Sequence, residues 1–155
     1  MVLHYSTARV ALLAFHVGIV SVARVHKEGE MSTRKGIKRV YIAGKLSDSG
    51  NTERSPSKVV CDYIQNLSEM CACADGLVVN GYAPYVPGLD FLVGLKADFW
   101  KEEDYRSLSM AFLEVCDAVL VISESKGVEA EIKRAGELGI PVYYRISDLW
   151  ALEAE

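Results

Sequence analysis

The segment from Val119 to Tyr144, VLVISESKGVEAEIKRAGELGIPVYY, limits the fold more than any other part of the chain. An apolar run, VLVIS, leads into a loop of a few residues. A stretch with helical spacing follows, and a second apolar run, PVYY, comes next. Two strands joined through a helix pair in parallel, since antiparallel neighbours need only a tight hairpin. Parallel strands are covered on both faces, which is why they are apolar almost throughout rather than alternating.

The same grammar runs through the preceding eighty residues. RVYIAG, Arg39 to Gly44, is a short buried-type strand ending in glycine. A polar loop, KLSDSGNTER, leads to SPSK, where Ser55 is an N-cap and Pro56 occupies the first helical position. Apolar residues then recur at Val60, Ile64, Leu67, Cys71, Ala74 and Val78, a helical spacing that extends to a left-handed cap at Asn80-Gly81. A competing assignment stops this helix at Gly76 and makes LVV a strand. YAPYVPG, Tyr82 to Gly88, is a strand ended by prolines. LDFLVGLKADFWKEED reads as a lid or loop with one helical turn. DYRSLSMAFLEVC is an amphipathic helix through Leu108, Phe112 and Val115, and DAVLVIS, Asp117 to Ser123, is the most strand-like segment of all. The strand PVYYRI and a last helix, SDLWALEAE, capped by Ser147, complete the chain.

Strand–helix alternation predicts an α/β domain, a Rossmann-like or flavodoxin-like three-layer sandwich with a four- to five-stranded parallel sheet. Right-handed crossovers give the strand order 2-1-3-4. The chain then reverses direction between the strands at 39–44 and 117–123. Ligands bind beyond the carboxyl ends of strands at such a switch point. The expected site is therefore built from AGKLSD, with Gly44, Lys45 and Ser47, and from SESKGVEAE, with Ser125 and Gly127.

The second of these stretches carries two glutamates, Glu129 and Glu131. With Val128 at zero on a helical wheel and about 100° per residue, Ile132, Ala135 and Leu138 fall within one stripe. Glu131 falls inside that stripe, at about −60°, whereas Glu129 lies on its flank and Glu137 opposite it. A carboxylate turned towards an apolar interior is costly unless it has partners or lines a cavity. One alternative is a buried glutamate paired with a lysine or with backbone groups. The other is a functional carboxylate at the switch point. Ser125, Lys126 and Gly127 precede this helix, and N–H groups at a helix start favour anions. The alternative for Ser125 is an N-cap with structural work only. GKLS after the first strand is no Walker A loop, because its leading glycine is missing and Leu46 stands where Ser or Thr is needed.

Composition removes several function classes. The three histidines are His4, His16 and His26, so the main domain has no histidine base, nucleophile partner or metal ligand. Cys61, Cys71, Cys73 and Cys116 form no C-x-x-C pair, which argues for reduced core thiols in a cytoplasmic protein and against a metal site. Net charge is −4, with no run of more than two basic residues, so neither nucleic acid nor a membrane is an expected partner. No cofactor is expected either. VALLAFHVGIVSVA, Val10 to Ala23, is too short to span a bilayer. It reads as an extension from an upstream start site, a signal-like segment, or a helix packed on the domain. We take 1–30 as an extension and 31–155 as the domain.

Several of these segments together resemble a known group. YIAG, GYAPYVP, CDAVLVI and S-x-G-V-x-x-E followed by A-x-x-x-G-I-P-V-Y are similar to the nucleoside 2-deoxyribosyltransferase-like superfamily, over about residues 38–144. That group includes deoxyribosyltransferases, 2′-deoxynucleoside 5′-phosphate N-hydrolases and small domains of unassigned activity. The resemblance implies that Glu131 is a nucleophile attacking the anomeric carbon of a nucleoside or nucleotide. It implies that Ser125 holds a 5′-phosphate and that Tyr41 and Gly44 line the sugar site, with Asp98 or Asp104 nearby. Ser109 stands where the characterised enzymes carry Asp, and Lys45 where the phosphate hydrolases carry serine. A homodimer or higher homo-oligomer is also implied.

Overall fold

A computed structural model describes residues 38–47, 55–97 and 99–151. The extension assigned to residues 1–30 and the candidate Asp98 lie outside the described residues.

Four parallel strands form one sheet: β1 (Arg39–Ala43), β2 (Ala83–Tyr85), β3 (Ala118–Val121) and β4 (Val142–Tyr143), in the order β2-β1-β3-β4. The predicted order is therefore observed, with β1 and β3 at the centre. Val40 aligns with Ala118 and Ala43 with Val121. The ladder continues past the strand end, where Ile122 N–H donates to the Ala43 carbonyl at 2.9 Å.

Both central strands are buried on both faces, and their residues divide between two cores. Val40, Ile42, Ala118 and Leu120 face α1 (Pro56–Val79), together with Met70, Leu77 and Leu149. Tyr41, Ala43, Val119 and Val121 face the other way, towards Leu113 and Cys116 at the end of α3 (Glu102–Leu113) and Val128 and Ala135 of α4 (Lys126–Leu138). This is the three-layer arrangement, produced by the period-two alternation of a strand.

The helix signals behave as their chemistry requires. Ser55 Oγ accepts from Lys58 N–H at the start of α1, with Pro56 in the first turn. The helix passes through Gly76 and stops at Asn80, after which Gly81 takes φ 81°. The alternative strand at LVV is thus excluded. Gly139 closes α4 with φ 70°.

Three expectations are corrected. The apolar stripe assigned to α1 holds only in its middle: Leu67, Cys71 and Ala74 pack against the core beside the fully buried Met70 and Leu77, while Val60, Ile64 and Val78 are 56%, 61% and 58% exposed. On α3, likewise, Leu113 and Cys116 are buried behind it while Phe112 and Val115 are exposed, and Leu138 of α4 is also exposed. The segment after β2 is more ordered than a lid with one turn: a 3-10 turn at Pro87–Leu89 runs into α2 (Asp90–Ala97). Tyr63 Oη ties it to α1 by donating to the Gly88 carbonyl at 2.7 Å. Finally, α5 begins at Ile146, so Ser147 lies inside it rather than capping it.

Leu120 is the largest side chain of β3 and is enclosed by these layers, at 1% exposure. Leu120→Ala should lower unfolding free energy by about 2–5 kcal/mol in urea titrations. A loss under about 1 kcal/mol would place this side chain outside the core.

Candidate functional site

A cleft of about 950 Å³ opens at the carboxyl ends of β1 and β3, the predicted switch point. Its floor is the loop after β1, with Gly44, Lys45, Leu46 and Ser47. One wall is the start of α4, from Ser125 to Glu131, and the other is the face of α3 that carries Tyr105, Arg106, Ser109 and Met110.

Packing explains why these residues meet. Ser109 lies one turn before Leu113, whose burial against the sheet aims that face of α3 inwards. Val128 is buried at the start of α4, and Glu131 follows one turn later on the same side. Gly44 must be small: a Cβ there would sit 2.9 Å from Ile122 Cγ1 and 3.3 Å from Met70 Cγ. The loop is held by Lys45 N–H, which donates to Ser123 Oγ at 2.8 Å, and by Asn66 Nδ2, which donates to the Leu46 carbonyl at 3.2 Å.

The wheel separates the glutamates correctly. Glu129 and Glu137 are exposed, while Glu131 is half-buried and lines the cleft. Tyr41 lies behind it. The Tyr41 hydroxyl donates to Glu131 Oε1 at 2.7 Å, and Glu131 Oε2 is buried with no hydrogen-bond partner among the described residues. Burial pushes the Glu131 carboxyl up to about 7, against the opposing effect of the Tyr41 bond. The Tyr41 hydroxyl is raised well above its ordinary range. Burial is the main cause, followed by the charge of Glu131 and the bond to it; the Ser109 hydroxyl acts the other way.

The start of α4 presents backbone N–H groups that have no intrahelical partner. Ser125 Oγ accepts from Val128 N–H at 3.2 Å, so the structural N-cap role is realised. That role leaves the hydroxyl proton of Ser125 to point outward. The N–H groups of Lys126 and Gly127 precede the first intrahelical bond. A Cβ at Gly127 would meet nothing nearer than Ser125 Oγ, at 3.7 Å, so the backbone is open to close approach.

Gly44, Lys45, Ser47, Ser109, Ser125, Gly127 and Glu131 are thus gathered in one cleft. Two of the expected residues are not in its wall. Tyr41 is fully buried and acts on the site through Glu131 instead. Asp104 caps its own helix: its carboxylate accepts from Lys101 N–H at 2.7 Å. Asp117, at the opposite end of β3, is held by Arg39 through its backbone N–H at 2.7 Å and its guanidinium at 2.8 Å. Glu124 belongs to the expected stretch SESKGVEAE, whereas Glu102, Tyr105 and Arg106 are additions that the sequence did not point to. These three sit on α3, where the apolar stripe was assigned to the wrong face.

Among the described residues no group of His, Cys, Asp or Glu is arranged to hold a metal ion. Among them also, no helix is long and apolar enough to cross a membrane. Comparison of the chain with protein-family models, with curated proteins and with solved structures found no match.

A carboxyl held near pH 7 in the fold ionises near 4.5 in the unfolded chain. The folded state therefore binds the extra proton between these values, and its stability falls as pH rises through them. Glu131→Gln removes that loss. The variant should be more stable than the parent at pH 8, by on the order of 3 kcal/mol at most, and no more stable at pH 4. Thermal unfolding across pH tests this, and a difference independent of pH would refute the raised ionisation.

Proposed function

We propose that this protein cleaves or transfers at the N-glycosidic bond of a (deoxy)nucleoside or its 5′-monophosphate, as a member of the nucleoside 2-deoxyribosyltransferase-like group. The observation that carries the reading is Glu131: one oxygen is held by Tyr41, the other has no partner, and the carboxyl borders a cleft large enough for a nucleotide. A carboxyl set up in this way is suited to nucleophilic attack on an anomeric carbon.

The steps follow from the placement. A phosphate rests on the N–H groups of Lys126 and Gly127 and on the Ser125 hydroxyl, at the positive end of the α4 dipole. The sugar lies over the backbone of Gly44, in the loop that floors the cleft. Glu131 turns towards the cleft and its carboxylate oxygen bonds to the anomeric carbon. The bond to the base breaks, the base leaves with the electron pair, and solvent supplies its proton. Water, or a second base, then attacks the glycosyl ester and frees Glu131. The reaction needs no cofactor and no metal. Only the ionised carboxylate attacks, so activity should rise with pH through about 7. A homo-oligomer in the cytoplasm fits this reading, with all four cysteines as free thiols.

A second reading has its own support. A nucleotide-binding or sensing domain of the same fold would keep the cleft and the α4 anion site without turnover. Glu131 Oε2 is closed off from solvent, and Ser109 offers no carboxylic acid to the departing base.

Incubation with a panel of deoxynucleosides and their 5′-monophosphates, with chromatographic detection of free base, separates the two. Base release that Glu131→Gln lowers by at least about a thousandfold supports the enzyme. Tight binding of monophosphates with no base released from any of them supports the sensing module.

A further inference from the structure

The hydrogen bonding between β1 and β3 continues past the strand ends. Ile122 N–H, one residue beyond β3, donates to the Ala43 carbonyl at 2.9 Å. In a parallel pair the next bond of this series would run from Lys45 N–H to the Ile122 carbonyl. Lys45 N–H donates instead to Ser123 Oγ, at 2.8 Å. A side-chain oxygen thus takes the place of a backbone carbonyl where the strands separate and the cleft opens. Any residue can supply a carbonyl, but only a side chain with an acceptor at this position can supply that oxygen.

We propose that Ser123 is a positioning residue: its hydroxyl fixes the loop after β1 against the segment that leads into α4, and so sets where a sugar resting on Gly44 stands relative to Glu131. This rests on the reading of Glu131 as nucleophile and of the Gly44 loop as the floor under the sugar. The two sides of the cleft lie on either side of this one bond. The floor, Gly44 to Ser47, follows β1, and the wall that carries Ser125 and Glu131 follows β3. Asn66 ties the floor to α1 through the Leu46 carbonyl, at 3.2 Å, whereas Ser123 ties it to the wall.

Loss of the Ser123 hydroxyl deprives Lys45 N–H of this acceptor. The loop can replace the bond by closing on the Ile122 carbonyl, which zips the strands one step further, or by turning Lys45 N–H to solvent. Closing is opposed by Gly44, already so near Ile122 that a Cβ would sit 2.9 Å from Ile122 Cγ1. Either movement shifts the floor while the N–H groups at the start of α4 stay where they are. A phosphate would still be held, and the sugar above the floor would be misplaced. Small misplacements of reacting atoms are costly in rate. Threonine at this position keeps the hydroxyl and suits extended backbone. Alanine keeps neither the donor nor the acceptor.

The test uses the full chain and the variants Ser123→Ala and Ser123→Thr. Two quantities are measured: turnover on the best substrate of the panel, and hydrogen exchange of the Lys45 and Ile122 amides by NMR. Ser123→Ala should speed exchange at Lys45 by about fivefold or more, the size of one lost hydrogen bond, and change Ile122 by less than about twofold. It should lower kcat by about tenfold or more with little change in KM. Ser123→Thr should restore both readings. Should Ser123→Ala not fold, Ser123→Cys replaces the oxygen with a weak acceptor and gives the same two measurements. Equal acceleration at Lys45 and Ile122 would mean a general loss of stability and overturns the proposal. So does a Lys45 amide that exchanges as in the parent, a kcat unmoved while Lys45 exchanges faster, or failure of Ser123→Thr to restore either reading. The exchange measurement needs no substrate, so a parent protein that releases no base removes the reaction, while the tie between Ser123 and the loop is still decided by Lys45.

Discussion

The structure depends on β1 and β3 lying side by side in parallel with no face left to water. Every second residue of each strand serves one core and the intervening residues serve the other. This constraint makes both strands apolar and compels helices to cover both sides. It also leaves the carboxyl end of the pair as the place where the chain can open a cleft. Tyr41 is the one side chain of β1 that carries a hydroxyl into that buried layer. A buried hydroxyl needs a partner, and the one it finds is Glu131. The candidate site is in this sense the polar solution to a packing problem at the centre of the sheet.

Burial and charge pull in opposite directions at Glu131. The Tyr41 hydroxyl favours the carboxylate, whereas the apolar surroundings oppose it, and burial has the larger effect. The protein thereby keeps a costly carboxyl that no fold-stabilising pair explains. Glu114 and Glu137 show the contrast, since both are spent on Arg134 at the surface. Functional sites are where local stability is given up in this way.

Much of this was legible in the sequence. The parallel sheet, its order, the ends of α1 and the inward direction of Glu131 all follow from local chemistry: apolar runs, caps, glycines and helical period. What failed has a common cause. In α3, and towards both ends of α1, apolar residues also lie on faces turned away from the sheet, so periodicity alone does not choose among them. In α1 the burial of Met70 and Leu77 decides it, and in α3 that of Leu113 and Cys116 behind its end. The α3 assignment is why Tyr105 and Arg106 were not foreseen in the cleft. Asp104 was misplaced for a related reason, since a helix start supplies a local N–H that a carboxylate meets before any ligand.

The sequence by itself determined the α/β class, the order of the strands and the orientation of Glu131, because each rests on spacing along one segment or on the handedness of a crossover. Only the tertiary structure decided that Tyr41 stands behind Glu131 rather than in the wall of the cleft, and that Ser109 faces the same cleft from α3. Those residues are 90 and 22 positions from Glu131 in the sequence. Their meeting depends on which face each element turns to the sheet, and that choice is made by packing among all the layers at once.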